Sequence, residues 1–130
     1  MIVVDASAIV DLLIDAVGTA DLRELLRDAD DLHAPNLLDY EVVSGLRRRT
    51  LRGRLTATRA QDALTDFEDL AIRRWPLLDG LRRRVFSLRD SFEAYDASYV
   101  ALAEALECPL VTRDQRLARA ARDLVQVEVH

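Results

Sequence analysis

The amino-acid sequence predicts an α/β fold, with a mostly parallel sheet of about five strands covered by helices on both faces. Short apolar segments alternate along the chain with longer segments whose apolar residues recur at helical spacing. Half of the 130 residues are hydrophobic and 32% are charged, a composition typical of globular proteins. This length is enough for one hydrophobic core, so we expect residues 1–130 to form a single domain.

Five segments are predicted strands. The first is a run of β-branched residues that ends at Asp5. The second and third each lead to a proline, and the residue before a proline favours extended geometry. In order, the predicted strands are Ile2–Val4, Asp31–Ala34, Leu70–Trp75, Pro109–Thr112 and Val125–Val129.

Seven segments between these strands are predicted helices. Gly18 and Thr19 end the first helix, and Gly53 ends the third. Thr56 is placed to cap the start of the fourth helix. The predicted helices are Ala6–Ile14, Asp21–Asp30, the segment from Asn36 to Gly53, the segment from Thr56 to Leu70, Leu77–Leu88, Ser91–Glu107 and Gln115–Arg122.

The composition also argues against several classes of protein. No apolar run approaches the roughly 20 residues that span a bilayer. Asp5 and Asp11 interrupt the apolar stretch near the N-terminus, which therefore lacks the pattern of a signal peptide. Cys108 is the only cysteine, so no internal disulfide can form. We expect a cytoplasmic protein.

Four carboxylates lie where this fold would bring them to one edge of the sheet. Asp5 and Asp114 follow predicted strands, and open α/β sheets build their sites beyond the carboxyl ends of strands. Asp96 lies near the start of its helix and Glu41 lies in the early turns of another. Converging carboxylates repel one another, and a divalent cation such as Mg²⁺ relieves that repulsion. The set therefore predicts a metal site suited to phosphoester chemistry.

Two hydroxyl residues lie beside these acids, and helix capping is an alternative role for two of the acids. Ser7 and Thr112 place hydroxyl groups beside two of the acids, where they can hold them in position. Aspartate is also a good N-cap, so Asp114 could be only the N-cap of its helix, and Asp96 could help to cap its own helix or simply lie early in it. Asp5 closes an apolar strand, where a capping role is less obvious.

Several other chemistries lack the residues that they need. A haloacid-dehalogenase-type phosphatase has a second aspartate where Ser7 stands, and both it and a response-regulator receiver need a lysine, which this chain lacks. There is no glycine-rich phosphate loop. His33 and His130 are the only histidines, so neither a zinc site nor a histidine-pair ribonuclease is expected. We expect Trp75 and Tyr99 to pack in the interior.

All 18 basic residues are arginine, although the net charge is −5. One cluster begins at the end of the third predicted helix and contains Arg47, Arg48, Arg49, Arg52, Arg54 and Arg59, of which the first four are the candidates for contact with a partner. The arginine side chain binds phosphate and carboxylate equally well, so this cluster could contact RNA or an acidic protein partner. The alternative is a solvated helix face.

Four segments of the sequence resemble, in order, the motif blocks of PIN-domain proteins, with greatest likeness to the VapC toxins of bacterial toxin–antitoxin pairs. The resemblance covers essentially the whole chain, and four ordered blocks are a specific signal. The segments are Met1-Ile-Val-Val-Asp-Ala-Ser-Ala8, Pro35-Asn-Leu-Leu-Asp-Tyr-Glu-Val42, Tyr95-Asp-Ala-Ser-Tyr-Val-Ala-Leu-Ala-Glu104 and Leu110-Val-Thr-Arg-Asp-Gln-Arg-Leu117.

The resemblance implies a three-layer α/β/α fold and an endoribonuclease that depends on Mg²⁺ or Mn²⁺. It implies that four acids are catalytic and bind the metal: Asp5, Glu41, Asp96 and Asp114. Ser7 and Thr112 match the hydroxyl residues that accompany these acids in the family. The implied partners are a VapB-type antitoxin, an RNA substrate such as tRNA or rRNA, and a second copy of the chain in a homodimer. The alternative function is a catalytically silent PIN-fold module that only holds a protein or RNA partner.

Overall fold

A computed structural model describes every residue of the protein, from Met1 to His130. Five strands and seven helices follow one another along the chain. The strands are β1 (Ile2–Val4), β2 (Leu32–Pro35), β3 (Ile72–Trp75), β4 (Leu110–Thr112) and β5 (Val127–Val129). The helices are α1 (Ala6–Leu13), α2 (Ala20–Asp28), α3 (Leu37–Leu51), α4 (Ala57–Glu68), α5 (Asp79–Ser87), α6 (Ala94–Leu106) and α7 (Gln115–Ala121).

All five strands are parallel and lie in the order β3-β2-β1-β4-β5. β1 is central, because Val3 pairs with His33 of β2 on one side and with Leu110 of β4 on the other. The chain moves outward from β1 to β3 and then crosses to β4 on the opposite side of β1. The strand order therefore reverses between β1 and β4, which is where ligands bind in open parallel sheets.

Two layers of helices cover the sheet. α1 packs against α2, α3 and α4, while α5 packs against α6, which lies across β1, β2 and β4. Right-handed connections between parallel strands place α1 to α4 on one face and α5 to α7 on the other. The fold is a three-layer α/β/α arrangement, which confirms the fold class that the sequence predicted.

The hydrophobic core is centred on β1 and β4, whose residues are almost wholly removed from solvent. The largest fully buried side chains include Tyr99 of α6, Ile9 of α1 and Leu38 of α3, which come from both helical layers. Cys108, directly before β4, is buried in the same cluster. Because both central strands are fixed by packing, the residues that follow them are held at fixed positions.

The predicted elements are all present, and their ends differ from prediction by a few residues. β2 extends one residue further, to Pro35. α5 begins at Asp79 rather than at Leu77, because Leu77 and Leu78 lie in an exposed, non-helical segment after Pro76. None of the helices is long and apolar enough to cross a membrane.

Candidate active site

The four predicted acids line one pocket beyond the carboxyl ends of β1 and β4. The pocket has a volume of about 280 Å³. Asp5 and Asp114 reach it from the ends of these neighbouring strands, and Glu41 and Asp96 reach it from α3 and α6. The fold therefore brings together acids that lie in four separate parts of the sequence, at the reversal of the strand order.

Asp5 is the most deeply buried of the four acids, with 5% of its surface exposed. Its Oδ1 accepts hydrogen bonds from Ser7 Oγ at 2.7 Å and from Ala8 N at 3.1 Å. Its Oδ2 accepts a hydrogen bond from Thr112 Oγ1 at 2.6 Å. The bond from Ala8 makes Asp5 the N-cap of α1, a role that the sequence pattern did not make obvious. A strand that turns directly into a helix leaves its last residue at the cap position.

Ser7 and Thr112 fix the turn between β4 and α7 against the end of β1. Ser7 Oγ, besides donating to Asp5, accepts a hydrogen bond from Arg113 N at 3.0 Å. Thr112 Oγ1, besides donating to Asp5, accepts one from Asp114 N at 3.0 Å. The two hydroxyl oxygens lie 3.3 Å apart. Both hydroxyl groups therefore link the buried acid to the backbone of the turn that carries Asp114.

Asp114 caps α7 and still lines the pocket. Its Oδ1 accepts hydrogen bonds from Arg116 N at 2.9 Å and from Leu117 N at 3.2 Å. Its Oδ2 accepts none, so one carboxylate oxygen remains free for a ligand. The capping alternative for Asp114 is confirmed, and it is compatible with a role in the pocket.

Asp96 is the least constrained of the four acids. It lies in the first turn of α6, but the N-cap position is occupied by Glu93, so the alternative that Asp96 caps this helix is wrong. The Asp96 carboxylate accepts no hydrogen bond, and its ion pair with Arg116 has an Oδ2–Nη2 distance of 3.7 Å. Its position is therefore set mainly by the helix and only weakly by its neighbours.

Glu41 is oriented by a tyrosine that the sequence did not single out for the site. Tyr99 lies in the core with 2% of its surface exposed, and its hydroxyl group donates to Glu41 Oε1 at 2.8 Å. Packing was the expected role of Tyr99, and the structure adds this hydrogen bond. Tyr99 follows Asp96 by three residues, so both lie on one face of α6 and line the same pocket. That spacing was the available signal in the sequence.

Burial and mutual repulsion raise the pKa values of three of the acids. Burial raises the pKa of Asp5 from 3.8 to about 6, against the hydrogen bonds from Thr112 and Ser7, which lower it. The pKa of Glu41 is raised chiefly by burial and further by the charge of Asp96. The pKa of Asp96 is raised by burial and by the charges of Glu93 and Asp114. Carboxylates whose pKa is raised in this way bind a proton or a cation more readily.

A network centred on Asp11 borders the pocket. Asp11 Oδ1 lies 3.2 Å from Arg49 Nη2, and Asp11 Oδ2 lies 2.8 Å from Arg113 Nε. Arg113 also donates to the carbonyl oxygens of Gly18 at 3.0 Å and Val17 at 2.9 Å. Asp11 and both arginines line the pocket, yet the sequence did not reveal Asp11 or Arg113 as site residues. Their pairing depends on the tertiary fold, which a single sequence does not show.

The structure places the predicted arginine cluster in different environments. Arg48 and Arg49 line the pocket, whereas Arg47 and Arg52 do not. Arg49 is held by Asp11 and by the carbonyl oxygen of Gly45 at 3.2 Å. The side chains of Arg47, Arg48 and Arg52 are exposed and make no hydrogen bond or ion pair within the chain.

The acids and hydroxyl groups of the pocket form a donor set of oxygen atoms, which is the kind that hard divalent cations prefer. No group of three or more His, Cys, Asp or Glu side chains is arranged to hold a metal ion as these side chains stand. The donor chemistry therefore fits Mg²⁺, and side-chain movement is needed to bring the carboxylates around an ion.

Comparison with known protein families places this fold and pocket in a family. The family model described as the PIN domain matches residues 2–123. The chain belongs to the PIN-domain family. The matched region contains all four acids of the pocket and both hydroxyl residues beside Asp5.

Relatives of this PIN domain are named VapC ribonucleases. VapC ribonuclease Mb0985 of Mycobacterium bovis is 48% identical over 118 residues, which cover 91% of this chain and 89% of that protein. Ribonuclease VapC12 of Mycobacterium tuberculosis is 36% identical over 129 residues, which cover 99% of this chain and 98% of that protein. The crystal structure of VapBC2 from Rickettsia felis, bound to a DNA fragment from their promoter, is similar in fold. Its TM-score is 0.72 at 14% identity, covering 100% of this chain and 99% of that chain.

Proposed function

We propose that this PIN domain is a metal-dependent endoribonuclease and the toxin of a VapBC-type toxin–antitoxin pair. The observation that carries the proposal is that Asp5, Glu41, Asp96 and Asp114 line one pocket at the strand-order reversal. Membership of the PIN-domain family and relatives that are named ribonucleases support the same reaction. The proposed ion is Mg²⁺, and Mn²⁺ suits the same oxygen ligands.

In this proposal the four acids hold the ion through oxygen atoms that the fold leaves free. Asp114 Oδ2 and Glu41 Oε2 accept no hydrogen bond within the chain. Asp96 accepts none at either oxygen. Asp5 Oδ2 accepts a single hydrogen bond, which leaves one lone pair for a ligand. Each acid can therefore contribute one ligand without losing the contacts that position it.

A bound divalent cation supplies a water molecule of lowered pKa and offsets negative charge on the phosphate. The residues around it keep the acids oriented and ionised. Ser7 and Thr112 donate to the Asp5 carboxylate, and hydrogen bonds to the charged form lower its pKa. Tyr99 fixes Glu41, and Arg48 lines the pocket with an unpaired guanidinium group that suits a phosphate oxygen.

We propose a VapB-type antitoxin as the protein partner, an RNA such as tRNA or rRNA as the substrate, and a homodimer as the assembly. The names of the relatives and the VapBC2 structure support the antitoxin. The cytoplasm is the proposed location, because cellular RNA is found there. Four arginines are proposed to contact the RNA or the antitoxin: Arg47, Arg48, Arg49 and Arg52.

The test is a mapped cleavage assay on total cellular RNA, with Mg²⁺ present or removed by EDTA. We expect cuts at defined positions with Mg²⁺ and none with EDTA. Asp5→Asn and Asp96→Asn should each abolish cleavage. Asp62→Asn is the matched control, because Asp62 is exposed on α4 and has no ion pair.

Two results would change this assignment. If Asp5→Asn or Asp96→Asn cleaves RNA as fast as the wild type in Mg²⁺, that acid is not part of the site. If the wild type cleaves no RNA in Mg²⁺ but binds RNA or an antitoxin, the catalytically silent binding module replaces the ribonuclease.

A further inference from the structure

A second cavity, of about 320 Å³, adjoins the pocket of the acids. Four arginines and one apolar residue line it: Ile14, Arg48, Arg49, Arg52 and Arg54. Arg48 and Arg49 line both cavities, so the two cavities lie side by side at these side chains. No carboxylate lines the second cavity, which makes it the cationic neighbour of an acidic site.

The arginines of this cavity are brought together by the turn that ends α3. Gly53 has a φ of +71°, and its backbone N–H donates to Thr50 O at 3.1 Å. The N–H of Arg54 donates to Arg49 O at 2.9 Å, which completes a Schellman motif. This reversal returns Arg54 to the end of the helix from which Arg48 and Arg52 project. The cationic surface is therefore built by the backbone and does not depend on a flexible tail.

Three of the four arginines have no partner within the protein. Arg49 is paired with Asp11, whereas the side chains of Arg48, Arg52 and Arg54 make no hydrogen bond or ion pair. Elsewhere in the fold, carboxylates hold other arginines: Asp15 pairs with two, Asp39 with one and Glu104 with one. Arg48 lies close enough to Glu41 for its charge to lower the pKa of that acid, but it forms no ion pair with it. Three adjacent guanidinium groups that form no ion pair favour the binding of an anion.

We propose that Arg48, Arg52 and Arg54 form a phosphate subsite for RNA, beside the position of the bond that is cleaved. The inference rests on the proposed ribonuclease function and makes it more specific. It separates these three arginines from Arg49, which holds Asp11, and from Arg47, which lines neither cavity. A phosphate beside the four acids would need the metal ion to offset the repulsion between negative charges. The adjacent phosphate would bind the arginines directly.

The lining of the cavity favours RNA over a protein partner. Interfaces with nucleic acids are polar and strongly cationic, whereas the centre of a protein interface is apolar and depleted of charge. Ile14 is the only apolar residue in the lining. The two adjacent cavities also suit a polymer that carries a negative charge at every unit, because Arg48 lines both of them.

The test measures the affinity for a short labelled single-stranded RNA as a function of salt concentration, in an Asp5→Asn background without divalent cations. Arg52→Gln combined with Arg54→Gln should make the slope of log K against log salt shallower by about 0.7 for each phosphate that the protein no longer neutralises. Arg27→Gln combined with Arg83→Gln removes the same charge from two exposed, unpaired arginines on α2 and α5, and should leave the slope unchanged.

An equal fall in slope for both double variants would mean that net charge alone matters, which overturns the subsite. An unchanged slope in the Arg52 and Arg54 variant would also overturn it, and weaker antitoxin binding by that variant would then assign the arginines to the protein partner. The ribonuclease proposal is tested separately by wild-type cleavage in Mg²⁺. A shallower slope together with absent cleavage would keep the subsite and remove the nuclease.

Discussion

The two acids at the sheet edge of the pocket are held by more hydrogen bonds than the two acids on helices. Asp5 and Asp114, at the sheet edge, accept five hydrogen bonds between them from backbone and hydroxyl donors. On the helices, Glu41 accepts one, from Tyr99, and Asp96 accepts none. The sheet half is therefore preorganised, and the helix half has room to move.

No three of these acids surround a common point in the structure. Four unscreened carboxylates repel one another, and the two that are weakly held can relieve that repulsion by keeping their distance. We infer that an ion draws Glu41 and Asp96 toward Asp5 and Asp114, which the sheet edge keeps in place. The following variants test the contrast between the two halves, beginning with the largest expected effect.

Thr112→Val should have the largest effect, because it keeps the shape of a fully buried side chain and removes a hydroxyl group that serves two partners. Asp5 Oδ2 and Asp114 N both lose a hydrogen bond, so we expect a loss of about 2–3 kcal/mol in the free energy of unfolding. The loss also raises the pKa of Asp5, so the acid limb of the pH–activity profile should move to higher pH. Chemical denaturation and the pH profile of cleavage are the measurements.

The control for that variant is Thr65→Val, since the Thr65 hydroxyl bonds only to a carbonyl oxygen within exposed α4. If Thr112→Val and Thr65→Val behave alike, the hydroxyl group of Thr112 does not support the site.

Asp11→Asn should have the next largest effect, of about 1–2 kcal/mol in unfolding free energy, because two half-buried arginines lose their charged partner. Cleavage should fall as well, since Arg113 precedes Asp114 and its backbone is bound to Ser7. Asp15→Asn is the matched control: Asp15 also bridges two arginines, but it is exposed. Such exposed pairs contribute about 0–1 kcal/mol. Equal losses in stability and activity would show that the Asp11 network has no special role.

Tyr99→Phe should have the smallest effect, about 1 kcal/mol or less, because Glu41 can hydrogen-bond to water once the hydroxyl group is gone. Cleavage should decrease more than stability, since Glu41 loses its only oriented contact. Tyr95→Phe, on the exposed side of the same helix, is the control. A fall in stability without a fall in cleavage would make Tyr99 a core residue only.

The two halves also differ in how far the sequence could predict them. The strand-then-acid pattern at Asp5 and Asp114 predicted their place at the sheet edge, because parallel strands end at a common edge. The spacing of apolar residues predicted the helices that carry Glu41 and Asp96, and Gly53 correctly marked the end of α3. These features are local, so a single sequence contains them.

Contacts between distant segments could not be read in the same way. No local pattern in the sequence shows that Asp11 pairs with Arg49 rather than with a neighbouring arginine of the cluster. Nor does one show that Tyr99 hydrogen-bonds to Glu41. The cap formed by Asp5 was missed because the strand and helix meet without a loop, which gives one residue both roles. Roles that depend on tertiary pairing or on two elements sharing a residue require the structure.

Thermal unfolding across pH, with and without Mg²⁺, shows whether these acids bind a divalent cation. In the folded state the pKa of Asp5 is raised from 3.8 to about 6, so folding favours its protonated form. The metal-free protein should therefore lose stability, by up to ~3 kcal/mol, as the pH rises from about 4 to about 6, and it should stay at the lower level above that. Mg²⁺ binds the ionised form, so it should restore stability above that pH and have little effect below it.

In Asp5→Asn, the stability of the metal-free protein should depend less on pH, and so should its stabilisation by Mg²⁺. This variant should also be slightly more stable than the wild type at neutral pH without metal. Asp62→Asn should behave as the wild type. Stabilisation by Mg²⁺ should appear as Asp5 ionises and disappear in Asp5→Asn. Stabilisation of equal size in wild type and Asp5→Asn, or none in the wild type at any pH, would contradict this prediction.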